Sequence, residues 1–325
     1  MTTPQQPLGS PFGYRSTAKE VVAGVDLTGR HVVVTGGYSG IGTETVRALA
    51  GAGAHVIVGA RRTDRAEDVL GEMDGTIEVL PLDLADPASI DDFADEVASR
   101  WDRVDILINN AAIMANDLTR DARGYESQFA TNHLGHFQLT ARLWPLLDAA
   151  GAARVVVLSS IGHRLGAPDL DDPNFERHDY DKWLAYGRAK SANALFALQL
   201  DTLGEPHGVR AFAVHPGGIM TPLQRHLSKE EQVAMGWMDS EGNVNERFKT
   251  TEEGAATTVW AATSPLLEGK GGVYCEDCDV AAPASADRPM GGVHPHVRDA
   301  GLAARLWDKS EEMTGVTFRP IALHS

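Results

Sequence analysis

Along most of the chain, apolar residues fall into short unbroken runs separated by longer amphipathic stretches. The runs are His31–Thr35, His55–Ala60, Thr76–Leu82, Val104–Asn109, Arg154–Ser159 and Val209–His215. Between them, Ile41–Ala52, Pro87–Arg100, Glu126–Ala149 and Leu184–Leu203 place apolar residues at helical spacing. Strands that are apolar throughout, rather than alternating, belong to a parallel sheet covered on both faces. Their succession with helices predicts a doubly wound α/β fold. The rhythm continues without a break to Tyr274, which predicts one domain over residues 28–282. Residues 1–27 read as an irregular N-terminal arm carrying a short helix through Val22, started by the capping pair Thr17/Glu20 and stopped by Gly24. Residues 283–325 read as a C-terminal extension, helical over Ala300–Met313 and packed on the surface. Two segments break the pattern: 161–183, rich in Asp, Pro and His, and 217–250, which opens on Gly217-Gly218. Long connections after parallel strands are where such sheets bind ligands.

Charge and composition narrow the partners. Lys and Arg number 29 against 45 Asp and Glu, a net charge of −16, which argues against nucleic acid or anionic lipid as a partner. No apolar run reaches the ~18 residues of a membrane helix, and the first thirty residues lack the order of a secretory signal. The expectation is a cytoplasmic protein without a membrane anchor, acting on a small molecule. Cys275 and Cys278 are too few for a disulfide scaffold or a four-cysteine zinc site. His294 and His296 lie only two apart, short of finger spacing, so no metal site is expected, and the cysteines read as small residues closing the last strand.

The chemistry begins at Thr35-Gly36-Gly37-Tyr38-Ser39-Gly40-Ile41-Gly42, between the first strand and the first helix. Glycines there let the backbone approach a pyrophosphate, and the helix start offers free N–H groups and a positive dipole end. About twenty residues on, where an acid would bind the ribose of NAD(H), the chain has Gly59-Ala60-Arg61-Arg62. A guanidinium suits a 2′-phosphate, which predicts NADP(H) over NAD(H); the alternative is that both arginines merely solvate the next helix. Asp83-Leu84 ends the third strand, where Asp83 either meets an adenine amino group or caps the following helix. Asn109-Asn110-Ala111-Ala112 ends the fourth.

Tyr186 and Lys190 stand one helical turn apart on one face. An ammonium there lowers a phenol toward the range of an acid–base catalyst. Ser159-Ser160 ends the fifth strand, where a hydroxyl can bond a substrate carbonyl. Asn132 sits in mid-helix, unfavoured unless its side chain or a local distortion has a task. Pro216-Gly217 follows the sixth strand. His163 either touches substrate or sits in a solvated loop, and Met220, Trp237 and Met238 either line an apolar pocket or pack their own segment.

Together these motifs, in this order over residues 28–280, resemble the short-chain dehydrogenase/reductase family. The resemblance implies a Rossmann-type sheet of seven strands and a tetrad. Tyr186 is its acid/base, Lys190 lowers the tyrosine pKa and holds the ribose, Ser160 polarises the carbonyl, and Asn132 anchors a relay water. Ser159 is then structural. It implies cofactor contacts from Gly36, Tyr38–Gly42, Arg61, Arg62, Asp83, Leu84, Asn110–Ala112, Pro216, Gly217, Ile219 and Thr221. The long Ser160–Tyr186 insert, Ser160-Ile161-Gly162-His163 and Lys249-Thr250-Thr251-Glu252-Glu253-Gly254-Ala255 are similar to the retinol dehydrogenase and WW-domain oxidoreductase branch. That branch acts on apolar carbonyls and alcohols, so a carbonyl reductase is the leading expectation. Ala112 departs from the family's usual glycine. Family dimers and tetramers pair helices corresponding to 126–149 and 184–203, so a homodimer or homotetramer is expected unless the C-terminal extension covers them. Two other readings are a non-catalytic sensor of the NADPH/NADP ratio and an epimerase or dehydratase that retains its cofactor.

Overall fold

Alternation of side chains within each strand decides what covers the sheet. In β1 (His31–Thr35), Val32 and Val34 pack into one apolar layer and Val33 into the other, all fully buried. The computed structural model describes residues 3–288 and 291–318; the outer ends of the arm and of the C-terminal extension, and residues 289–290, lie outside them. In chain order the elements are α1 (Ala18–Val22), β1, α2 (Ile41–Gly51), β2 (His55–Ala60), α3 (Thr63–Leu70), β3 (Thr76–Pro81), α4 (Pro87–Arg100), β4 (Ile106–Asn109), α5 (Ser127–Phe129), α6 (Gly135–Ala149), β5 (Arg154–Leu158), α7 (Lys182–Gly204), β6 (Arg210–His215), α8 (Lys229–Ala234), α9 (Thr251–Thr263), β7 (Val273–Glu276), β8 (Asp279–Val280) and α10 (Ala300–Thr314).

The strand order is β3-β2-β1-β4-β5-β6-β7-β8, parallel except for β8, so the expected seven strands gain an eighth. The order reverses between β1 and β4, the place where doubly wound sheets open a crevice for ligands. Helices α1, α2, α3 and α9 cover one face, and α4, α6 and α7 the other. The extra strand follows a tight turn in which Asp277 and Cys278 both have positive φ, 50° and 60°. A turn of that hand normally carries Asn-Gly or Asp-Gly; Asp-Cys gives no such signal.

The N-terminal arm is irregular up to its capped helix, as expected, and is anchored as well; the expectation for the C-terminal segment is corrected. The arm is integrated into the sheet edge: Gln5 Nε2 donates to the carbonyls of Tyr274 and Ala281, and its Oε1 accepts from Tyr274 N. The C-terminal extension is no surface appendage. Trp307 and Phe318 are buried with Phe137 and Phe196. Ala303, Leu306 and Met313 of α10 bury Ala192, Leu195 and Leu198 of α7. The helical face expected to pair with a second copy is thus covered by the chain's own C-terminal helix.

Candidate active site

The carboxyl ends of the strands open into one cavity of about 1600 Å³. Its floor is the glycine turn. Gly40 precedes α2 with φ 58° and supplies no capping side chain, so the first amides of α2 have no side-chain cap. Gly42 has no room for a side chain: a Cβ would lie 2.6 Å from the Gly36 carbonyl and 2.7 Å from Asn110 Nδ2. Asn110 fastens this turn, donating from Nδ2 to the carbonyls of Thr35 (2.8 Å) and Gly36 (3.2 Å). The amides of Asn110 and Ala111 both donate to Thr35 Oγ1. Uncapped amides beside a backbone stripped of side chains fit the pyrophosphate of a dinucleotide.

Gly36, Tyr38, Ser39, Gly40, Ile41, Arg61, Arg62, Asp83, Leu84, Asn110, Ala111, Ala112, Pro216, Gly217, Ile219 and Thr221 all line this cavity. Gly42 lies just behind it, in contact with the turn. The helix cap proposed for Asp83 belongs to Asp86, whose Oδ1 accepts from Ala88 N; Asp83 Oδ1 accepts from Ala85 N instead. At the same end Arg65 and Arg225 join Arg61 and Arg62. Among the described residues none of these four is in an ion pair with a carboxylate.

At the other end the Tyr186 ring lies on Gly162, where a Cβ would come within 3.0 Å of it. Lys190 Nζ is 5.7 Å from the centroid of that ring and donates to the Leu158 carbonyl at 3.0 Å. Burial overrides the mutual effect expected of this pair. It raises the Tyr186 phenol to about 12, opposed by the hydrogen bond with Ser160, and it lowers the Lys190 ammonium to about 7. Ser160 Oγ accepts from Gly162 N at 3.0 Å and lines the cavity. Ser159 Oγ turns to the Lys190 carbonyl at 2.8 Å.

Asn132 does not line the cavity. It sits in a π-turn, Ala130–Leu134, that interrupts the helix expected over 126–149, and a π-bulge is a common mark of functional sites. Both ends of its side chain hold Ile113: Oδ1 accepts from its N–H and Nδ2 donates to its carbonyl, each at 2.9 Å. Its own carbonyl meets His136 Nδ1 at 3.0 Å, while His136 Nε2 meets Thr35 Oγ1 at 2.8 Å. A buried polar chain therefore joins the π-turn to the glycine turn. His136 was legible only as a histidine one turn after Asn132.

The substrate contacts divide. Trp237 lines the cavity with Trp183, Met114, Leu165, Leu223 and Phe248. Its ring meets Trp183 edge-on at 5.8 Å and Phe248 at 5.9 Å. Met220 and Met238 are not among the lining residues. His163 is corrected: it is fully buried behind Ser160, with Nδ1 2.7 Å from the Ser160 carbonyl and Nε2 accepting from His294 N. Only the two ends of segment 161–183 reach the cavity; its middle buttresses Glu126 through Asn174 and Tyr180. Sequence reasoning missed Tyr14 and Arg15 of the arm and Arg288 and His294 of the C-terminal extension, all of which line the wall. Cys275 in β7 and Cys278 in the β7–β8 turn are both buried, and burial raises both thiols.

The family model described as short chain dehydrogenase matches residues 30–232. The chain belongs to this family. A protein of Streptomyces lividans named "Probable oxidoreductase" is 46% identical over 87% of this chain and 97% of its own. Retinol dehydrogenase 14 of Mus musculus is 35% identical over 89% and 87%. The WW domain-containing oxidoreductase of Danio rerio is 36% identical over 91% and 71%. The crystal structure of an uncharacterised protein from Mycobacterium paratuberculosis superposes with a TM-score of 0.72 at 34% identity, over 94% of this chain and 99% of that one. This short-chain dehydrogenase is accordingly an oxidoreductase that uses a nicotinamide cofactor and acts on a small molecule. Among its described residues no helix is long and apolar enough to cross a membrane.

Proposed function

We propose that the protein is an NADP(H)-dependent carbonyl reductase for apolar ketones or aldehydes, with Tyr186 as its acid/base. The observation that carries this reading is one cavity with two unlike ends: an arginine cluster with no carboxylate ion-paired to it among the described residues at one, and Tyr186, Ser160 and Lys190 beneath an aromatic wall at the other. A nicotinamide dinucleotide held in this cavity would supply or accept a hydride. Arg61 and Arg62 would hold its 2′-phosphate, and the uncapped start of α2 would take its pyrophosphate. Ser160 bonds the substrate oxygen and Tyr186 gives it a proton in reduction. Trp183, Trp237 and Phe248 exclude water and match an apolar substituent.

The neutral, buried phenol supports reduction, because the proton that reduction needs is already in place. A ratio sensor has no use for a phenol and an amine held at the cost of burial, which favours catalysis over the sensing reading. The test is a fluorescence titration of NADPH and NADH on wild type and Arg61→Ala, then a screen of ketones and aldehydes with Tyr186→Phe as control. Tight NADPH binding lost selectively in the Arg61 variant is expected; equal binding of the two cofactors to wild type would refute the cofactor preference.

A further inference from the structure

The turn that follows β6 carries a second cationic group to the cofactor end of the cavity. Thr221 sits directly on the glycine turn: a Cβ on Gly40 would lie 3.1 Å from Thr221 Cβ and Cγ2. From there Thr221 starts the short turn Pro222–His226 with a reciprocal cap, its hydroxyl accepting from Leu223 N and its own N–H donating to Gln224 Oε1. Gln224 Nε2 closes the structure on the Ile219 carbonyl at 2.8 Å. Arg225 is therefore carried on a fastened turn seated against the phosphate-binding loop, not on a loose lid.

Arg225 lines the cavity with Arg61, Arg62, Arg65 and Tyr38. Its Nη1 donates to the Pro222 carbonyl at 3.1 Å, which leaves the rest of the fork available. Burial and the neighbouring Arg61 both press on its charge, in that order. In a chain of net charge −16, cations gathered with no ion-paired carboxylate among the described residues are unfavourable until an anion arrives.

We propose that Arg225 is a second ligand for the cofactor's 2′-phosphate, opposing Arg61 across the crevice, and so a determinant of NADP(H) over NAD(H) contributed by the segment after β6. This rests on the NADP(H) reading above. It adds that the phosphate is gripped from two sides, by the β2 end and by the segment that also carries Trp237.

The experiment is calorimetric titration of wild type, R61A, R225A and R225K with NADP+ and NAD+, with melting temperatures recorded for each. Loss of a charge-assisted bond predicts that R225A weakens NADP+ by about tenfold or more and leaves NAD+ within about twofold of wild type. R225K, which keeps the charge without the fork, falls between. Wild type preferring NADP+, R61A losing that preference and R225A keeping it would overturn the role of Arg225 while leaving the cofactor reading intact. Equal weakening of both cofactors by R225A at an unchanged melting temperature would also overturn it, since the residue would then act on the loop and not on the phosphate. If R225A melts early, a further variant, R225Q, is titrated in the same way beside R225K: undiminished NADP+ selectivity in both would overturn the proposal. Wild type indifferent to the 2′-phosphate would bring down the cofactor reading itself.

Discussion

Four buried histidines make the site sensitive to acid. Burial lowers His133 and His215 to about 3 and His136 and His163 to about 4, each from an ordinary 6.5. In the unfolded chain each imidazole takes up a proton near pH 6.5, and in the folded chain only near 3 to 4. The stability they contribute is therefore present above pH 6.5 and lost as the pH falls below it. Between pH 7 and pH 5.5 the loss is roughly 1 kcal/mol per histidine, and four of them together are appreciable against the ~5–15 kcal/mol by which domains are stable. Glu126 and Glu276 work the other way, because burial raises both carboxyls and acid restores what their charge costs. A variant isolates one histidine from that background. His215 Nδ1 accepts from the amides of Ile161 and Gly217, at 3.2 and 3.4 Å, so it ties together the loops bearing Ser160 and the turn after β6. Asparagine can present an oxygen in the same place. Urea unfolding of wild type and His215→Asn at pH 7 and pH 5.5 is the assay, and the variant is expected to lose roughly 1 kcal/mol less over that interval. An identical pH dependence in the two proteins would refute the assignment of His215 as a neutral, structural imidazole.

Tyr186→Phe is expected to lower kcat by roughly 10²- to 10⁴-fold with cofactor affinity unchanged, read by steady-state kinetics and titration. Gly42→Ala places a methyl against the Gly36 carbonyl, so cofactor binding is expected to weaken by about tenfold or more, with stability falling by about 1–3 kcal/mol, measured by titration and urea unfolding. Trp237→Ala removes the central ring of the aromatic wall. KM for a bulky apolar ketone is expected to rise by about tenfold, while that for a small one changes little, as a kinetic series over substrate size would show. Because α10 covers α7, light scattering is expected to find no dimer built on the α6 and α7 faces, and Leu306→Asp, which opens that face, is expected to lower stability.

The sheet was legible because a parallel strand buried on both faces has to be apolar at every position, as Val32, Val33 and Val34 are. Tyr186 and Lys190 were legible because helical spacing alone puts them on one face. What the sequence could not show depends on distant residues meeting. The β7–β8 hairpin turns on Asp277 and Cys278 in a conformation their side chains do not advertise. Arg288 and His294 reach the cavity from more than a hundred residues beyond Ser160, and only packing of the C-terminal extension brings them there. Asn132 is a poor residue for mid-helix, and the π-turn is that misfit realised. Its side chain is spent on Ile113 rather than left free, which no spacing rule foretells.

Tyr186 and Lys190 show most clearly where local reasoning gives out. Spacing predicts that the ammonium lowers the phenol, but that argument assumes water around both groups. In the folded chain both are buried, and desolvation penalises each charged form: the phenol moves up to about 12 and the amine down to about 7. Near neutrality the phenol keeps its proton while the amine is poised between its two forms. A proton donor is what carbonyl reduction asks of this tyrosine, whereas alcohol oxidation would require it to give up that proton against the full cost of burial. The same burial that defeats the simple pairwise expectation therefore supports the proposed reduction, and Lys190, lowered by burial to about 7, is the neighbouring group whose charge responds most to a change in surroundings.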